Sequence, residues 1–99
     1  MIDHFDPLGK IDKLSYPTQV DYMYEYVKFL NIAGRPILSQ TAECFWSLLE
    51  AGQRNRRTKE IRIKIQTIYL HLLRTYRELG NWEQVEACKK SIHKEQLKL

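Results

Sequence analysis

Apolar residues recur every three or four positions along one uninterrupted stretch in the second half of the chain. The residues of this stripe are Ile61, Ile65, Ile68, Leu72, Tyr76 and Leu79. Such spacing places them on one side of an α-helix, which has about 3.6 residues per turn. Tyr69 and Leu73 widen the apolar side, as is typical of a helix that packs against more than one neighbour. The sequence therefore predicts a long central helix.

Glycines and capping residues divide the preceding part of the chain into two further helices. The first is predicted to begin near Pro17 and Thr18, with capping-box spacing from Thr18 to Asp21, and to end at Gly34 and Pro36. The second is predicted to run from Ser39, a favourable N-cap residue, to Gly52. Both segments carry apolar residues at helical spacing, so each is expected to pack one side inward.

The end of the long helix and the start of a fourth helix are also marked. Gly80 ends the long helix, and Asn81 stands in N-cap relation to Gln84. These residues predict a fourth helix that begins after Asn81.

The first residues of the chain differ from the rest. Residues 1–16 show no helical or strand periodicity, so we predict an irregular N-terminal arm. A chain of 99 residues, 43% apolar and 28% charged, is typical of one globular domain. We therefore predict an all-α fold with a compact four-helix domain over residues 17–99.

The third and fourth predicted helices carry a recognisable family pattern. Over roughly residues 66–92, its residues are Tyr69, Leu72, Tyr76, Gly80 and Trp82. This pattern resembles a tetratricopeptide repeat. The first helix of such a repeat carries a large residue, a leucine and a tyrosine, and a Gly-polar-aromatic turn follows. The resemblance implies a C-terminal helix-turn-helix hairpin.

The chain departs from that repeat pattern at the positions where its two helices approach most closely. Leu73 stands in place of a small residue, Val85 and Ile92 stand in place of alanines, and Lys89 stands where an aromatic is usual. Bulkier residues at these positions hold the helices further apart than in a standard repeat. Repeat arrays need about three or more units to be stable. The departures therefore favour a closed bundle over an extendable array.

Aromatic residues are concentrated on the first predicted helix, where Tyr22, Tyr24, Tyr26 and Phe29 point to several sides. In the plainer interpretation, Tyr24 lies in the core with Tyr22 and Tyr26 half exposed. Exposed tyrosines are common at protein-binding surfaces, because the side chain is large and loses little entropy when it becomes ordered. We predict a non-catalytic protein-interaction domain, adaptor or regulatory, that binds another protein or forms a homo-oligomer. The candidate protein-binding residues are Tyr22, Tyr26, Phe29, Tyr69, Tyr76 and Trp82.

A basic segment before and within the long helix supports a second interpretation. Its cations are Arg54, Arg56, Arg57, Lys59, Arg62 and Lys64, opposed by Glu60. Phosphate contacts from such a segment would bind DNA or RNA with little sequence preference and with strong salt dependence. The alternative function is thus a nucleic-acid-binding accessory protein. Two other interpretations of the segment stay open: a solvated loop and helix face, or a surface for an acidic protein patch.

Nothing in the sequence predicts catalysis, a metal site or a cofactor. Asp3, His4 and Asp6 lie close together, but a single histidine near a chain end is usually solvated. His71 and His93 have no cysteine, serine or acid at the spacing of a known catalytic motif. We therefore expect a protein that is not an enzyme.

The two cysteines and the hydropathy of the chain point to a reducing setting. Cys44 and Cys88 are isolated, which favours free buried thiols over a disulfide. The sequence begins without the basic and apolar regions of a signal peptide, and no stretch reaches the ~18 apolar residues of a membrane span. We expect a cytoplasmic protein without a membrane partner.

Overall fold

The computed structural model describes residues 13–52 and 57–98, which form four α-helices and no strand. The helices are α1 (Tyr16–Ile32), α2 (Ser39–Ala51), α3 (Lys59–Glu78) and α4 (Trp82–Leu97). The predicted all-α four-helix fold is confirmed. The predicted N-terminal arm lies outside the described residues as far as residue 12.

Helix α3 is the centre of the bundle, because it packs on each of the other three helices and most extensively on α4. The Cα radius of gyration is 12.7 Å, close to the ~13 Å of a compact domain of this length. Leu79 was predicted as the last member of the stripe, yet it is exposed because it forms the C-cap beyond the last turn of α3. Fully buried side chains from all four helices include Val20, Met23, Val27, Phe45, Leu49, Ile65, Ile68, Leu72, Val85 and Cys88.

Helices α1 and α3 end in the same way, each with a glycine in the left-handed region. Gly34 has φ +67° and Gly80 has φ +74°, a conformation that side chains with a Cβ rarely adopt. After the first of these glycines, the Arg35 N–H donates to the Leu30 carbonyl at 2.9 Å. This hydrogen bond belongs to a Schellman motif, which satisfies carbonyls of the last helical turn. It also fixes the backbone of Arg35 against the end of α1.

The starts of α3 and α4 carry side-chain caps. The Asn81 Oδ1 accepts a hydrogen bond from the Gln84 N–H at 3.3 Å, which confirms the predicted cap of α4. Thr58 caps α3 in the same manner, accepting from the Ile61 N–H at 3.2 Å. Ser39 is the first residue of α2 and does not occupy its N-cap as predicted. Of the four described helices, α3 and α4 are thus the two that begin with a side-chain cap.

Helix α1 begins one or two residues before the predicted start. Tyr16 is its first residue and Ser15 its N-cap. The capping box predicted between Thr18 and Asp21 is wrong, because both side chains have other partners. The Thr18 hydroxyl hydrogen-bonds the Ser15 hydroxyl at 2.9 Å, and Asp21 accepts from Lys64 of α3 at 2.7 Å. The earlier start makes Tyr16 part of the helix, and its ring lies in the core.

Both cysteines are buried thiols that form no disulfide among the described residues, as predicted. Burial raises the pKa of the Cys88 thiol to about 12. A thiol with so high a pKa stays protonated at neutral pH and is a poor nucleophile. Cys88 is therefore a packing residue of α4.

Candidate protein-interaction surface

Three aromatic residues of α1 lie together along one side of the helix, next to its buried side. Tyr22, Tyr26 and Phe29 have i, i+4, i+7 spacing, which places them along one side of the helix. Tyr22 is 42% exposed and Phe29 is 52% exposed. Ile32, three residues after Phe29 and 82% exposed, extends this side to the end of α1. We call Tyr22, Tyr26, Phe29 and Ile32 the α1 face.

Tyr26 anchors the α1 face to the core. Its ring meets the Phe45 ring of α2 edge to face, with centroids 5.4 Å apart and planes at 82°, a favoured aromatic geometry. The pKa of the neighbouring Tyr22 is raised, first by partial burial and then by the charge of Tyr26. Within the α1 face, Tyr26 is therefore the ring that a packing contact holds in position.

The α1 face includes three of the six residues predicted to bind protein and one residue that sequence reasoning missed. The sequence contained a signal that could have identified this residue, Ile32, because it follows Phe29 by three residues and so lies on the same side of a helix. Trp82, also predicted, is exposed as the first residue of α4 and lies close in sequence to the exposed Leu79. These two exposed apolar residues flank the turn between α3 and α4.

Tyr69 and Tyr76, the remaining predicted protein-binding residues, are core residues of α3. Each is only 2% exposed, so neither is available at the surface. The Tyr69 hydroxyl donates to the Glu50 carboxylate at 2.8 Å, and burial together with this bond raises the pKa of Tyr69. The Tyr76 hydroxyl is buried without a hydrogen-bond partner among the described residues, and burial raises its pKa to about 12.

This difference between the two hydroxyls predicts opposite effects of removing them. A buried polar group without a partner costs about 1–3 kcal/mol, whereas a hydrogen bond to a charged group contributes about 1.5–3 kcal/mol. We expect Tyr76→Phe to raise the free energy of unfolding by about 1 kcal/mol, and Tyr69→Phe to lower it by about 1–2 kcal/mol. Urea unfolding followed by circular dichroism measures both. Equal losses in the two variants would contradict the assignment of partners.

The basic segment falls partly outside the described residues, where Arg54 and Arg56 lie. Lys59 is exposed as the first residue of α3. Lys64 donates to Asp21 of α1 at 2.7 Å, and this hydrogen bond raises the pKa of Lys64. The charge of Lys64 therefore contributes to the contact between α3 and α1.

Two further cations of the basic segment converge on one buried carboxylate of α4. The Arg57 side chain is 3% exposed and pairs with Glu95, whose side chain is 5% exposed. Arg62 pairs with the other oxygen of Glu95 at 3.1 Å. Arg57 also donates to the Gly52 carbonyl at 3.1 Å and to the Tyr16 hydroxyl at 3.3 Å. Three of the four described cations of the segment thus have carboxylate partners within the chain, and nucleic-acid binding stays a prediction.

Within the described ranges, no group of three or more histidine, cysteine or acidic side chains is placed to hold a metal ion. The cluster of Asp3, His4 and Asp6 lies outside those ranges. None of the described helices is long and apolar enough to cross a membrane. Comparison of the chain with protein family models, with curated proteins and with solved structures found no match.

Proposed function

We propose that this chain is a non-catalytic protein-interaction domain that uses the α1 face to bind another protein or a second copy of itself. One observation carries the proposal. Three large apolar side chains, those of Tyr22, Phe29 and Ile32, are exposed together on one side of a helix whose other side is fully packed. Clustered exposed apolar residues mark interaction sites more often than single ones do.

The chemistry of the α1 face supports the same proposal. Tyrosine and phenylalanine are enriched at protein interfaces, where rigid rings bury a large area at small entropic cost. The edge-to-face contact of Tyr26 with Phe45 holds the middle of the face in place. The face crosses more than two turns of α1, which suits a partner helix or extended segment that packs along it.

Site-specific photo-crosslinking tests the proposal directly. A benzophenone amino acid in place of Phe29 would be activated in the purified protein and in a cell extract. We expect one dominant product, either a dimer or an adduct with one protein identified by mass spectrometry. Tyr22→Ala together with Ile32→Ala should remove that product and leave helicity unchanged, because both side chains are exposed.

The matched control places the same amino acid at Leu70, an exposed apolar residue of α3 outside the α1 face. Light scattering of the parent protein gives its oligomeric state independently. A protein that stays monomeric and yields the same products from positions 29 and 70 would contradict the proposal. The outcome does not depend on the nucleic-acid alternative, which predicts salt-sensitive binding of labelled DNA or RNA.

A further inference from the structure

A cleft of about 390 Å³ lies between the C-terminal half of α1, the turn that follows it and the C-terminal half of α3. This volume falls in the range of ligand pockets, about 300–1,000 Å³. Buried Val27, Leu30 and Ile37 form its apolar floor, and exposed Arg35, Arg74 and Glu78 form its polar rim. The cleft shares no residue with the α1 face.

The rim of the cleft has an excess of positive charge. Within the described part of the chain, no carboxylate lies within ion-pair distance of Arg35 or Arg74, and Glu78 is the one acid that lines the cleft. His71 also lines it, and burial and the charge of Arg74 lower the pKa of this imidazole. His71 is therefore neutral at neutral pH. The two guanidinium groups remain available for an anionic partner.

Separate elements of the fold position these two arginines. The Schellman hydrogen bond to Leu30 holds the Arg35 backbone at the end of α1. Arg74 belongs to the same side of α3 as His71 and Thr75, and the Thr75 hydroxyl donates to the His71 carbonyl at 3.1 Å. Both exposed arginine side chains therefore extend from ordered backbone positions, one on each side of the apolar floor.

We propose that this cleft docks an acidic segment of a partner protein. Its carboxylates pair with Arg35 and Arg74, since guanidinium binds carboxylate through two parallel hydrogen bonds. An apolar side chain between the carboxylates lies on the floor. A nucleic acid fits less well, because its sugar-phosphate backbone offers no apolar side chain to cover the floor of the cleft. The inference goes beyond the α1 face and holds whichever partner that face binds.

Nuclear magnetic resonance titration of the full chain tests the proposal. The probes are short capped peptides with one leucine flanked by glutamates at several spacings, and matched peptides with glutamine in place of glutamate. We expect shifts of the Gly34, Arg35, Ile37 and Arg74 amides with the glutamate peptides, and weaker binding as salt rises. Arg35→Gln with Arg74→Gln should weaken binding about tenfold or more, since each variant removes a charge-assisted pair.

Arg77→Gln is the matched control, because Arg77 is an exposed arginine of α3 that does not line the cleft. It should bind as the parent does. Equal binding of glutamate and glutamine peptides, no shifts at the cleft, or equal affinity of the double variant and the control would each overturn the proposal. So would tighter binding of an oligonucleotide than of any peptide at the cleft amides. The titration reports on the cleft and the crosslinking at position 29 reports on the α1 face. Failure of one proposal therefore leaves the other standing.

Discussion

Replacing Glu95 with alanine is expected to lower the free energy of unfolding by about 3–5 kcal/mol, the cost of removing one partner from a buried ion pair. The reason is the environment of the two arginines that Glu95 binds. The Arg57 side chain is 3% exposed and Arg62 is 19% exposed. Without the carboxylate, Arg57 keeps its neutral partners Gly52 and Tyr16 but not its counter-charge. Burial of an uncompensated charge is unfavourable in a medium of low dielectric constant.

The loss would be large for a domain of this size. Stability of single domains is typically about 5–15 kcal/mol, and each kcal/mol shifts the Tm of a domain near this length by roughly 4–8 °C. Differential scanning calorimetry should therefore show a fall of roughly 12 °C or more in the Tm of Glu95→Ala. Glu95→Gln, which keeps a hydrogen-bonding oxygen, should lie between that variant and the parent.

Glu86→Ala provides the matched control on the same helix. The Glu86 side chain is 65% exposed, and it pairs with the exposed Lys89 at 3.5 Å. Exposed pairs of this kind contribute about 0–1 kcal/mol. If Glu95→Ala and Glu86→Ala unfold at the same temperature, Arg57 is not buried as described, and the described contact between the start of α3 and α4 is incorrect.

The fold was predictable where the signals are local. Gly34 and Gly80 were expected to end helices, and both have the positive φ that this role requires. Asn81 caps the fourth helix through a contact three residues away. A contact between residues three or four positions apart is determined by the geometry of the helix alone, so it can be read from the sequence. A periodic pattern together with turn and cap residues is therefore sufficient to predict four helices.

The interior partners were not predictable, because they join residues far apart in the chain. Arg57 was expected at a solvated loop or nucleic-acid surface, and its partner Glu95 lies 38 residues later. Tyr69 and Tyr76 were expected at a surface, and periodicity alone did not distinguish the middle of a wide apolar side from its edge. The α1 face was predicted more completely, since Tyr22 and Phe29 lie on the side of α1 that its core residues leave free.

Gly52→Ala is expected to lower the free energy of unfolding by about 3 kcal/mol, at the upper end of the cost of overpacking. Gly52 has φ −91°, which alanine adopts without strain. Replacement of glycine at such a position ordinarily stabilises a protein by about 0.4–1 kcal/mol. Here, however, a Cβ atom would lie 1.8 Å from Cε1 of the Tyr16 ring and 2.2 Å from Cδ1. The steric clash with Tyr16 therefore outweighs the usual gain and makes the substitution destabilising.

The Tyr16 ring has little freedom to move away from that Cβ. Its hydroxyl donates to the Leu49 carbonyl at 3.4 Å and accepts from Arg57, whose guanidinium lies 5.5 Å from the ring centre. Displacement of the ring would therefore also disturb the pairing of Arg57 with Glu95. A double-mutant cycle measured by urea unfolding separates these effects. Gly52→Ala should cost much less in a Tyr16→Ala background, and an unchanged cost there would show that the clash is not its cause.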